Sequence, residues 1–186
     1  LAEDEVATVR TLQVHREHIA ALVHQHRGRV VDSPGDNLLA EFPSALDAAR
    51  CAAEIQRSIG ARNAAVPPHR RMEFRIGVHL GDVMVDGDRI YGDGINIAAR
   101  IERLAEPGGV CVSAPVWDQV RHKLGLPGED LGDQALKNIP EPVRVYQVRL
   151  AGEPARPGAA RREPYAVTGR IVATRPDVAV IVVPAV

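Results

Sequence analysis

A chain of 186 residues with 45% apolar residues has enough material for the core of one domain and a modest appendage. Its formal net charge of -1 gives no electrostatic case for nucleic acid, and aromatics at 3% leave few platforms for stacking bases. No apolar run reaches the roughly 18 residues needed to span a bilayer, and the N-terminus lacks a signal-peptide pattern, so a cytoplasmic location is expected.

The chain begins at Leu1 rather than Met, which suggests a fragment or a processed product. From Glu3 to His26, apolar residues at Val6, Val9, Leu12, Ile19, Leu22 and Val23 predict an amphipathic helix that ends at Gly28. Its histidines include the pair His15 and His18. No cysteine or carboxylate nearby completes a ligand set, so a metal role is not expected there. Arg29 to Phe42 reads as strand, tight turn, strand, with Ser33-Pro34-Gly35-Asp36 as the turn. Asp36 at the hairpin tip is either a turn former or a ligand for a hard cation such as Mg²⁺.

Ser44 is placed to cap a long helix with Leu46, Ala49, Ala53, Ile55 and Ile59 facing inward. Glu73 to Val85 alternates as one strand, in which Gly77 and Gly81 permit close approach of a neighbouring backbone or a ligand. A turn at Asp86 to Asp88 leads into Arg89 to Arg100, RIYGDGINIAAR. There Gly92 and Gly94 allow positive φ around Asp93, and Ile95, Ile97, Ala98 and Ile101 form the apolar side of a helix. Asn96 and Arg100 are four apart and share a face. An amide and a guanidinium near a helix N-terminus can cradle a phosphate. The plainer alternative is a surface helix with Arg100 paired to Glu102 or Glu106. Beyond it, Val110 to Val112 reads as a short strand, Pro115 as a helix start, and Leu131 to Ile139 and Val143 to Leu150 as two closing strands. Cys51 and Cys111, without CxxC spacing, read as reduced and buried. Residues 151–164, rich in Pro, Gly, Ala and Arg, read as a linker, and Val178 to Val183 as a lone strand within a tail spanning 165–186.

The order of elements predicts an α+β fold, helices packed on a mainly antiparallel sheet. Asp32 to Phe42, FRIGVHLGDV, YGDGINIAAR, AEPGGVCVS and LKNIPEPVRVYQV together resemble the catalytic domain of bacterial class III adenylate and guanylate cyclases, over residues 1–150. The resemblance implies a ferredoxin-like nucleotide cyclase fold and a homodimer with active sites at its interface. Such a dimer converts ATP or GTP to a 3′,5′-cyclic monophosphate and pyrophosphate with two Mg²⁺ or Mn²⁺ ions. It implies that Asp36 is a metal aspartate, that Asn96 orients the ribose, that Arg100 stabilises the transition state, and that Lys137 binds the triphosphate.

Two departures from the family pattern are visible. The family's first strand, carrying the other metal aspartate in an FxDxxG-like pattern, is expected just before Leu1 and is missing from the chain. The gap left in the sheet is filled by Val178 to Val183, or that segment starts a following effector domain. In the purine pocket, Asp32 and Arg89 stand where adenylate cyclases usually carry a lysine and an acidic residue or threonine. That reversal complements guanine, unless the two simply pair with each other. Three function classes follow: an active cyclase, a catalytically silent cyclase-like dimerisation or nucleotide-sensing module, and a purely structural dimerisation module.

Overall fold

The computed structural model describes residues 2–32, 37–81, 84–86, 89–151 and 179–182. Helix α1 runs Ala2–Gln25 and is followed by strands β1 (Arg29–Asp32) and β2 (Leu39–Phe42), an antiparallel hairpin whose turn, Asp36 included, lies outside the described residues. The helix does not end on Gly28 as the sequence predicts. Arg27 takes the left-handed position at φ 64°, with Arg27 N–H donating to His24 O and Gly28 N–H to Val23 O, the double bond pattern that closes a helix C-terminus. Gly28 is required for another reason: a Cβ there would lie 2.5 Å from the Phe42 ring. Arg27 then reaches Asp47 with two hydrogen bonds of 2.8 and 2.9 Å, tying the end of α1 to the start of the next helix.

That helix, α2 (Ala45–Ala64), is capped by Ser44, whose Oγ accepts from Asp47 N–H at 3.1 Å. Partial burial works against the Asp47 charge, but hydrogen bonds from Arg27 and Ser44 outweigh it and hold the carboxyl below the usual carboxylate range. A short 3₁₀ helix at Pro68–Arg70 leads to β3 (Ile76–Leu80). The single strand predicted for Glu73 to Val85 is in fact broken: β3 stops at Leu80, and β4 (Met84–Asp86) pairs with β5 (Arg89–Tyr91) in a separate ribbon. The break follows from Gly81, which sits against another helix instead of continuing the ladder.

Helix α3 (Asp93–Glu102), β6 (Val110–Ser113), α4 (Ala114–Val120), β7 (Gly128–Gln134) and β8 (Val143–Val148) complete the body. β7 begins three residues before the predicted Leu131 and ends at Gln134. Leu136 turns inward to a hydrophobic cluster and Asn138 takes a positive φ of 62°, so Leu136 to Ile139 cannot extend the strand. Cys51 on α2 and Cys111 on β6 are free and buried, and burial pushes both thiols up to about 12.

Among the described residues the strands form a seven-stranded sheet in the order β1-β2-β9-β3-β6-β8-β7, where β9 is Ala179–Val182. β3 and β6 are parallel and every other pair in this sheet is antiparallel. β2, α2 and β3 make a split βαβ unit, which leaves room for one strand between its two parallel members. β9 lies in that space, Leu39 to Phe42 on one side and Gly77 to Leu80 on the other. The linker expected at 151–164 lies, beyond its first residue, outside the described residues.

The strand pleat sends β3 side chains to two layers. Ile76 and Val78 enter the main core with Ile19 and Val23 of α1, Ala52, Ile55 and Ile59 of α2, and Val116 of α4. Gly77 faces α3 instead: a Cβ there would lie 2.4 Å from Ala98 O and 2.5 Å from Glu102 N, and one on Gly81 would lie 2.6 Å from Gly94 Cα. His79, between them in the alternation, is buried and its Nδ1 lies 2.8 Å from Ser113 Oγ on β6. Burial lowers the His79 pKa to about 4.

Two outcomes are expected. His79 stays neutral in the native protein while the unfolded chain takes up a proton near pH 6.5. Its contribution to stability is therefore fully present above that pH and lost as pH falls toward about 4. Urea unfolding across this window should show a shallower pH dependence in His79→Gln, the remaining slope coming from His15 and His18, whose pKa values burial also lowers. Backbone amides of Ala179–Val182, flanked by strands on both sides, should be strongly protected from hydrogen exchange. Exchange as fast as in an unstructured peptide would contradict the pairing.

Candidate functional site

Close contact at Gly77 and Gly81 sets the rotation of α3 about its axis. Ile95, Ala98 and Ile101 point down onto the sheet and are buried, with Gly94 beside them. Asn96 is consequently exposed, and Arg100, one turn on, is half-buried. The predicted pair therefore shares an accessible face. The plainer alternative is not what the structure contains: among the described residues no ion pair joins Arg100 to Glu102 or Glu106. Helix α3 starts at Gly92, in a conformation (φ 150°, ψ 159°) that favours glycine, and no side chain caps its first N–H groups. Those donors favour phosphate oxygens at the start of α3, where Asp93 also stands, while the Arg100 guanidinium lies in the last turn of the same helix.

His79 was not singled out from the sequence, although the spacing Gly77, His79, Gly81 carried a signal. These are alternate positions of one strand, on the face that the glycines open to a helix. His79 backs that contact from inside the sheet, its Cδ2 lying 3.3 Å from where a Gly81 Cβ would be. It supports α3 and does not reach the accessible face.

Lys137 lies in the connection between β7 and β8 and is exposed. Its neighbour Leu136 packs with Ile101, Ala105, Cys111 and Val145, so one hydrophobic cluster holds both the C-terminal half of α3 and the Lys137 segment. Asp32 ends β1, the edge strand of the sheet, opposite Leu39 and after an irregularity in the hairpin register. Arg89 opens β5, opposite Asp86 in the separate ribbon. Asp36 lies outside the described residues. β1 is three strand positions from β3, roughly 14 Å at the usual inter-strand spacing.

Among the described residues no three His, Cys, Asp or Glu side chains cluster as a metal site, and β9 brings only Ala179, Val180, Ile181 and Val182 to the centre of the sheet. No helix among the described residues is long and apolar enough to cross a membrane.

Residues 2–149 match the family described as the adenylate and guanylate cyclase catalytic domain. The chain is 40% identical over 147 residues to "Putative adenylate cyclase 3" of Rhizobium meliloti, a match covering 78% of this chain and 25% of that protein. It also matches serine/threonine-protein kinase pkn2 of Myxococcus xanthus, 28% identical over 144 residues, 77% of this chain and 17% of that one. The chain thus spans a quarter or less of these two relatives. The crystal structure of an adenylate/guanylate cyclase/hydrolase from Silicibacter pomeroyi superposes with a TM-score of 0.71 at 38% identity, over 77% of this chain and 85% of that one. Trypanosoma brucei adenylate cyclase, studied in its monomeric state, shares the fold with a TM-score of 0.67 at 22% identity, over 86% and 85% of the two chains. With its ferredoxin-like α+β body and its α3 motif in place, this chain belongs to the adenylate and guanylate cyclase catalytic domain family.

Proposed function

We propose that the domain works as a class III purine nucleotide cyclase module, converting a nucleoside triphosphate to its 3′,5′-cyclic monophosphate and pyrophosphate as a homodimer. The observation that carries this reading is the α3 face, with Asn96 exposed and Arg100 half-buried one turn further along the same helix. Asn96 would orient the ribose and Arg100 would stabilise charge developing on the transferring phosphate. Lys137, tied to α3 through the Leu136 cluster, would hold the triphosphate. Asp32 ends the edge strand β1, three strand positions from β3, which supports an assembly in which Asp32 and Asp36 of one copy face α3 of another. Mg²⁺ or Mn²⁺ held with the help of Asp36 would neutralise triphosphate charge.

A second reading is favoured by β9. This strand fills the space between β2 and β3 and carries no carboxylate, which suits a catalytically silent, nucleotide-sensing or dimerising domain serving an attached effector. The acid at Asp32 and the cation at Arg89 complement the N1 and N2 donors and the O6 acceptor of guanine, so GTP is the preferred nucleotide in either case.

Cyclic nucleotide formation measured with Mn²⁺ separates the two readings. If the domain is active, Arg100→Ala should lower turnover by about 100-fold or more with a smaller effect on KM. If wild-type protein forms no product yet is stabilised against heat by GTP, the silent reading stands. Absence of both effects would remove both. A binding titration should show GTP tighter than ATP; the reverse order would refute the assignment of Asp32 and Arg89.

A further inference from the structure

On the layer opposite α3, a cleft of about 300 Å³ opens between α1 and the end of α2. Three arginines from three separate elements line it: Arg10 of α1, Arg62 in the last turn of α2, and Arg70 of the 3₁₀ helix. Among the described residues none of the three has a carboxylate within 4.0 Å. All three side chains are exposed, and together they make a positive patch that favours an anion between them.

His15 supplies an independent observation. It lines the same cleft, is only 7% exposed, and its Nδ1 is buried with no hydrogen-bond partner. A buried imidazole nitrogen left without a partner costs free energy, which a ligand atom recovers where a small shift of the ring exposes that nitrogen to the cleft. Burial, with the Arg62 and His18 charges adding to it, lowers the His15 pKa. The ring is held edge-on to Phe74, with centroids 5.5 Å apart, and is positioned by packing. Asn63, at the rim, is fixed by reciprocal hydrogen bonds with Met72. Val14 adds an apolar wall that is 55% exposed.

We propose that this cleft binds a small polyanion, a molecule carrying two or more phosphate or carboxylate groups, on Arg10, Arg62 and Arg70 with His15 at its base. Three cations in this volume are more than a single monoanion needs, and the valine walls accommodate a short carbon frame between the charged ends. Such a ligand would tie α1 to the α2 end and the 3₁₀ helix. Because the cleft lies across the sheet from α3, it is independent of the nucleotide reading.

Calorimetric titration of the full chain at low ionic strength, with inorganic pyrophosphate and with citrate as probes, tests it. Binding of either probe is expected, weakened at least about tenfold in the double variant Arg62→Gln and Arg70→Gln. Arg100→Ala should leave citrate binding unchanged, which separates this cleft from any pyrophosphate held at α3. No binding of either probe to wild-type protein, or equal affinity in the wild type and a folded double variant, would overturn the proposal. Should the double variant fail to fold, the His15 imidazole resonances of the wild type decide. Displacement on citrate addition supports the site, and unchanged resonances sink it.

Discussion

The contact on which the rest of the domain depends is the meeting of two backbones, α3 and β3, at glycines. With side chains at Gly77 or Gly81, atoms would approach within 2.4 to 2.6 Å, which no packing tolerates, and α3 would have to lift off the sheet. Because it does not lift, its rotation is set. The apolar stripe of Ile95, Ala98 and Ile101 is spent on the core, and the polar stripe that remains carries Asn96 and Arg100. The orientation of these candidate catalytic groups is thus a consequence of two missing methyl groups on the strand beneath. His79 belongs to the same arrangement, bridging to Ser113 of the parallel neighbour β6 at the level where α3 begins.

A second constraint comes from topology. A crossover from β2 through α2 to β3 brings back a parallel strand one position away, and the position between must be filled or its backbone groups go unpaired. β9 fills it antiparallel to both neighbours, and α3 packs over β9 as well as β3. The segment that occupies this slot therefore sits under the candidate site.

The two layers of helices serve different ends. Beneath the sheet α1, α2 and α4 build the larger core, and the Arg27–Asp47 bridge, with Ser44 as cap, fixes where α1 stops and α2 starts. The cationic cleft opens at the other end of that same pair, where Arg10 faces Arg62 and Arg70. Charge on this surface is matched at one end of the α1–α2 pair and unmatched at the other.

Much of this was legible in the residues. The hairpin from Arg29 to Phe42, the Ser44 cap, the buried cysteines and the α3 pair all follow from local rules of turn chemistry, capping and period, and they stand in the structure where those rules put them. Short-range patterns did not set where β3 stops, why Gly28 is glycine, or that Leu136 leaves the strand, because each is decided by a partner distant in sequence: Gly94, Phe42 and Ile101. Likewise the apolar run from Val178 to Val183 reads as a strand, whereas the place of Ala179–Val182 between β2 and β3 is settled only by which backbone groups in the folded sheet still want partners.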